Sequence, residues 1–185
     1  MGAAAGVANS GAAESPVNGC LGGEGPLVGS PRMRPSRDLF FEDFTVGQRF
    51  ETEGIAVTEA DIVAFARQFD PQYFHLDPAA ATKSAFGGLV ASGLHTLSLT
   101  MRLFFELNLW ERAIIGSPGL EHVRWLIPLR PDDTIRSMVE ISAVKRSRSK
   151  PDRGVISTAH RALNQHDQVI FTMTCLHLVL ARAPG

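Results

Sequence analysis

The chain has 185 residues, of which 44% are apolar and 20% charged, with a formal net charge of −1. That is enough for one domain with a sizeable core, and the near-neutral balance excludes the broad basic field of a nucleic-acid or anionic-membrane binder. No run approaches the roughly 18 consecutive apolar residues of a membrane span. The two cysteines, Cys20 and Cys175, have neither zinc spacing nor a disulfide framework, so a reducing, cytoplasmic setting is expected.

Residues 1–37 are rich in Gly, Ala, Ser and Pro and nearly devoid of large apolar groups. Such a segment cannot offset its ordering entropy by burial and is expected to form a disordered tail. The folded domain is expected over 38–185. Its first strand is predicted from Arg49 to Ala56, after a turn at Gly47. Thr58 then reads as an N-cap with Asp61 at the third helical position, and Ile62, Val63, Phe65 and Ala66 recur at helical spacing. That helix should stop before Pro71, because the residue preceding proline avoids the α region. A loop follows over Tyr73–Leu76, and Pro78 opens a short helix with Asp77 as its cap.

The stretch LHTLSLTMRLFFELNL, Leu94 to Leu109, is apolar around most of its circumference and predicts a buried helix. Ser92 is placed to cap it. Beyond Gly116 and Pro118 the pattern changes to period two. Strands are predicted at 120–127, 134–148, 154–164 and 168–181, joined by turn chemistry at Arg130–Asp133, Lys150–Gly154 and Asn164–Asp167. Consecutive hairpins imply an antiparallel sheet, and the apolar helix is what the sheet wraps. The expected class is α+β.

Two features carry chemistry. Asp70 and His75 stand in FDPQYFHLDP, and FGGLVASGLHT opens the apolar helix. A carboxylate and an imidazole converging on one water can add it to, or remove it from, a carbon–carbon double bond. Imidazoles suit this because they titrate near neutral pH. Free N–H groups and the positive dipole at a helix start favour a developing oxyanion. Donors of this kind are worth about 3–4 kcal/mol in a transition state.

The order of short strand, helix, Asp/His loop, glycine turn, central helix and strand meander resembles the hotdog fold. More narrowly it resembles the MaoC-like dehydratases, or R-specific enoyl-CoA hydratases, over residues of about 40 to 182. The family's hydratase signature runs Asp, any residue, Asn, Pro, an aliphatic, His. Here its places hold Asp70, Pro71, Gln72, Tyr73, Phe74 and His75. Leu76-Asp77-Pro78, Phe86-Gly87-Gly88, the run Val123–Pro128 and Pro131-Asp132-Asp133 are also similar to this family. Its His-Gly pair at the start of the central helix corresponds to Ser92-Gly93. The departures are Phe69 in place of a small glycine, Gln72 for Asn and Tyr73 for Pro.

The resemblance implies an antiparallel sheet around a long central helix, with catalytic Asp70 and His75. It also implies an oxyanion hole at the backbone N–H of Gly93, no cofactor or metal, and an acyl-CoA or acyl-carrier-protein thioester as substrate. A homodimer is expected, with sites near the subunit interface. Gln72, Tyr73, Ser92 and His95 are candidate substrate contacts, though a packed His95 is the plainer expectation. The basic run Lys145-Arg-Ser-Arg-Ser-Lys150 offers Arg146, Arg148 and Lys150 as contacts for the phosphates of coenzyme A, against the plainer reading of a solvated turn. A hotdog thioesterase would need an acid on the central helix, where Glu106 is the sole acid, late in the run. A non-catalytic subunit that binds acyl-CoA or supports a partner chain is the other alternative.

Overall fold

A computed structural model describes residues 32–182. The expected disordered tail therefore falls mostly outside the described residues. Its last residues lie against the domain: Arg34 and Arg37, followed by Leu39, donate backbone N–H groups to the carbonyls of Glu106, Asn108 and Leu109 at 2.9, 3.1 and 2.9 Å. Backbone pairing to the domain thus begins before residue 38, because the end of the central helix offers carbonyls that need donors.

A 3₁₀ turn at Phe41–Asp43 leads into β1 (Arg49–Glu51) and β2 (Ile55–Ala56). The single strand expected over 49–56 is split at Gly54, where the backbone closes on β4 (Thr134–Arg146) so tightly that a Cβ would meet Thr134 Cγ2 at 2.9 Å. Next comes α1 (Glu59–Phe69), opened by the Thr58/Asp61 capping box. The region read as a loop contains one helical turn, α2 (Tyr73–Leu76), and Asp77 then caps α3 (Pro78–Ala81) by accepting from Ala79 and Ala80. The central helix α4 runs Gly93–Glu106, with the Ser92 hydroxyl accepting from Leu94 N.

Four long strands complete the chain: β3 (Ile114–Trp125), β4, β5 (Arg153–Leu163) and β6 (Val169–Leu180). All pairings are antiparallel, in the order β1-β4-β5-β6-β3, with β2 also on β4. Strand β3 starts earlier than periodicity predicts and runs through Gly116 and Pro118. It tolerates both because it lies at the sheet edge and is bulged there.

Side chains alternate between buried and half-buried along β4, β5 and β6. Their buried faces close over α4 in two apolar clusters. Leu99 and Leu103 pack with Ile135, Phe171 and Met173, and Phe104 and Leu107 pack with Val139, Ile156 and Val179. Each such side chain contributes roughly 1.5–3 kcal/mol on burial. Thr96 and Thr100 satisfy their hydroxyls on the carbonyls of Ser92 and Thr96, so helix polarity costs little in the core. The architecture is the expected sheet wrapped around a long helix, and it brings the start of α4 beneath the loop carrying Asp70 and His75.

Candidate active site

Asp70 is the residue at which α1 ends; its φ of −154° breaks the helix before Pro71. His75 sits in α2 and is buried. Its Nε2 lies 3.4 Å from Asp70 Oδ2, and its Nδ1 lies 2.6 Å from the carbonyl oxygen of Val90. A carbonyl can only accept, so Nδ1 carries a hydrogen, and Nε2 is the nitrogen turned towards Asp70.

The carboxylate is held from two sides. Ser92, fully buried, donates its hydroxyl to Oδ2 at 2.6 Å, and Gln72 Nε2 donates to Oδ1 at 2.8 Å. The Ser92 bond is the largest influence lowering the Asp70 pKa, opposed by desolvation and helped by Gln72 and His75. The lowered pKa keeps Asp70 a carboxylate at neutral pH. With the imidazole in its neutral form, a water donating one hydrogen to Oδ2 and one to Nε2 would turn its lone pair into the adjoining space.

That space is a cavity of about 490 Å³ lined by Asp70, Gln72, Phe74, His75, Phe86, Val90, Gly93, Thr96, Trp125 and residues 126–129. Gly93, the first residue of α4, is forced to be glycine by Trp125. The indole Nε1 donates to the Gly93 carbonyl at 2.8 Å, and a Cβ on residue 93 would meet that nitrogen at 2.8 Å. The larger cavity, about 580 Å³, lies against the far end of α4. Its Glu106 is paired with Arg102 at 2.9 Å, and neither Asp70 nor His75 reaches it, so Glu106 does not serve the first cavity.

Asp70, His75, Gln72, Ser92 and Gly93 are thus brought together. Five expected contacts are not. Tyr73 points away, 53% exposed, and edges onto Phe74. His95 is buried on the other side of α4, stacked on Phe65 with centroids 4.5 Å apart; a helix turns successive residues away from one another. Arg146 is engaged by Glu42 at 2.7 Å and lies over Phe41. The register Trp125–Phe171–Ala162–Ser137 fixes the level of the cavity on the sheet. Arg146 stands nine positions further along β4, about 30 Å away, with Arg148 and Lys150 beyond it. The basic hairpin is at the wrong end of the sheet for this chain's own cavity.

Sequence reasoning missed Phe74, Phe86, Thr96 and Trp125. Phe74 adjoins His75 inside the signature, which was a usable signal. Trp125 reaches Gly93 only through sheet closure, which no local pattern encodes.

The model of the MaoC like domain matches residues 42–162. The chain belongs to the MaoC-like family. Among solved structures, the MaoC-like dehydratase of Rhodospirillum rubrum is 41% identical with a TM-score of 0.71, covering 79% of this chain and 99% of that one. The uncharacterised protein YdeM of Bacillus subtilis is 32% identical over 130 residues, 70% of this chain and 91% of its own length. The (R)-hydratase of A. caviae, 23% identical with a TM-score of 0.60 over 76% of this chain and 99% of that one, shares the fold. In this MaoC-like chain the family's hotdog architecture is complete, and the Asp/His loop meets the start of the central helix.

Proposed function

We propose that this chain is a hydro-lyase that adds water to 2-enoyl thioesters, or removes it from 3-hydroxyacyl thioesters, with acyl-CoA as the substrate class. The observation that carries the reading is His75 Nε2 facing the doubly held carboxylate of Asp70 at 3.4 Å, at the wall of an apolar cavity. The hydratase and dehydratase names of its relatives support the same class.

In the forward direction the thioester carbonyl accepts from the Gly93 N–H, and negative charge gathers on that oxygen as water attacks the β carbon. One water O–H bond breaks. The hydroxyl joins the β carbon, the proton passes to His75 Nε2, and Asp70 stabilises the imidazolium. The imidazolium then returns that proton to the α carbon, so one water is consumed and both its parts are in the product. Asp70 is the poorer base because Ser92 and Gln72 hold its charge in place.

The functional unit is read as a homodimer. Leu94 and Phe105 on α4, and Ile115 and Leu120 on the edge strand β3, are 50%, 45%, 43% and 40% exposed. A second copy would cover these apolar groups and the open edge. The free thiol of Cys175 fits a reducing, cytoplasmic setting.

A panel of 2-enoyl-CoA substrates tests the activity, following loss of the conjugated thioester absorbance and the configuration of the alcohol. Hydration of at least one chain length is expected. No hydration across the panel, with the Asp70→Asn protein indistinguishable from wild type, overturns the reading.

A further inference from the structure

Arg130 follows Leu129, which lines the Asp70/His75 cavity. Its exposed guanidinium is fixed in place: Nη2 donates to the carbonyl of Phe86 at 2.7 Å, and Nη1 lies 3.5 Å from where a Cβ on Gly88 would stand. Phe86 itself lines the cavity and packs on Phe74, centroids 5.2 Å apart. The guanidinium therefore sits at the rim.

Its charge is not neutralised there. Asp133, its neighbour across the turn, accepts the backbone N–H of Arg130 at 2.8 Å and Gln165 Nε2 at 2.7 Å. Among the described residues no carboxylate oxygen forms an ion pair with Arg130, whereas Arg136, Arg146 and Arg182 each sit on at least one. A neutral carbonyl takes one of five N–H donors and leaves the rest of the fork, with its full charge, facing solvent. Because the side chain is already ordered, an anion bound there demands little further loss of rotamer freedom.

We infer that Arg130 is the contact for the phosphate end of the pantetheine arm of the substrate. The inference rests on the thioester reading above and gives this chain a phosphate subsite at the cavity rim in place of the distant hairpin. The acyl group lies in the cavity, the thioester carbonyl at Gly93, and the arm leaves past Phe86 to a phosphate ester at Arg130. That chemistry is shared by coenzyme A and by a carrier protein's phosphopantetheine.

The test compares one 2-enoyl group carried on coenzyme A, on 4′-phosphopantetheine and on N-acetylcysteamine, which has no phosphate. For wild type, kcat/KM should favour the phosphate-bearing thioesters. Arg130→Gln should shrink that preference by about tenfold or more, chiefly through KM, and Arg130→Lys should keep much of it. A drop shared by the phosphopantetheine thioester supports the assignment of Arg130 to the phosphate common to both carriers, whereas a drop confined to coenzyme A places it at the adenosine-side phosphates and overturns the inference. If Arg130→Gln lowers all three substrates by the same factor, Arg130 merely pins the Phe86 turn and the inference is overturned. Wild-type hydration without any phosphate preference also overturns it while leaving the hydratase reading intact. Absence of hydration of all three substrates removes the hydratase reading itself.

Discussion

Ser92 donates to Asp70 Oδ2 at 2.6 Å and, with the same oxygen, accepts from Leu94 N at 3.2 Å. One buried hydroxyl thus ties the start of the central helix to the carboxylate of the neighbouring loop. Ser92→Ala removes the main cause of the lowered Asp70 pKa. The carboxylate then protonates at higher pH, which a direct titration of its carboxyl carbon by NMR should show, and turnover should fall about tenfold as the held geometry loosens. Loss of the cap should also cost about 1 kcal/mol of stability. An Asp70 titration left unmoved by Ser92→Ala would refute the link between the two residues.

Asp70→Asn and His75→Ala should each lower hydration by roughly two to four orders of magnitude. Their stabilities should differ. His75→Ala leaves the buried Val90 carbonyl without its donor and should lose about 1–3 kcal/mol, while Asn can still accept from Ser92. Urea unfolding of the two proteins beside their turnover separates the effects. Wild-type-like turnover by either one contradicts the assignment.

Residue 93 should not tolerate a side chain. Gly93→Ala places a Cβ 2.8–2.9 Å from the indole of Trp125, an overlap expected to cost about 1–3 kcal/mol. Adding Trp125→Ala should recover part of that stability without restoring hydration, since the new methyl still stands beside the N–H offered to the thioester. A double-mutant cycle in thermal unfolding measures this, and strictly additive losses would exonerate the ring.

Acid should destabilise the protein through three histidines. Burial holds His95 and His177 down to about 4 and His160 to about 3. An unfolded histidine titrates near 6.5, so on lowering the pH the unfolded chain takes up protons first. The stability these residues contribute is fully present above that point and is lost as pH falls towards 4, by up to about 4 kcal/mol per pH unit for three groups. Chemical denaturation at a series of pH values should show a falling midpoint over this window. His95→Phe should flatten it by about a third.

Much of this was legible because it is local. The Thr58/Asp61 box, the Asp77 cap and the two-residue alternation of β4 to β6 are each written within a few positions, and they form as read. Asp70 and His75 lie close enough in sequence for one loop to turn them together. What escaped depended on distant partners. The break at Gly54 answers to Thr134, the early start of β3 answers to β6, and Trp125 meets Gly93 only once the sheet closes. The basic run 145–150 fits the plainer reading of a solvated turn, because charge composition does not say which end of a sheet a hairpin occupies.

The strap formed by residues 34–39 has a practical consequence. Trimming the chain to residue 42, where the family match begins, would strip the donors from the carbonyls of Glu106, Asn108 and Leu109 and uncover the lower end of the helix. The smallest autonomous folding piece is therefore longer at its amino end than homology suggests. Truncations meant to preserve activity should start no later than Arg34.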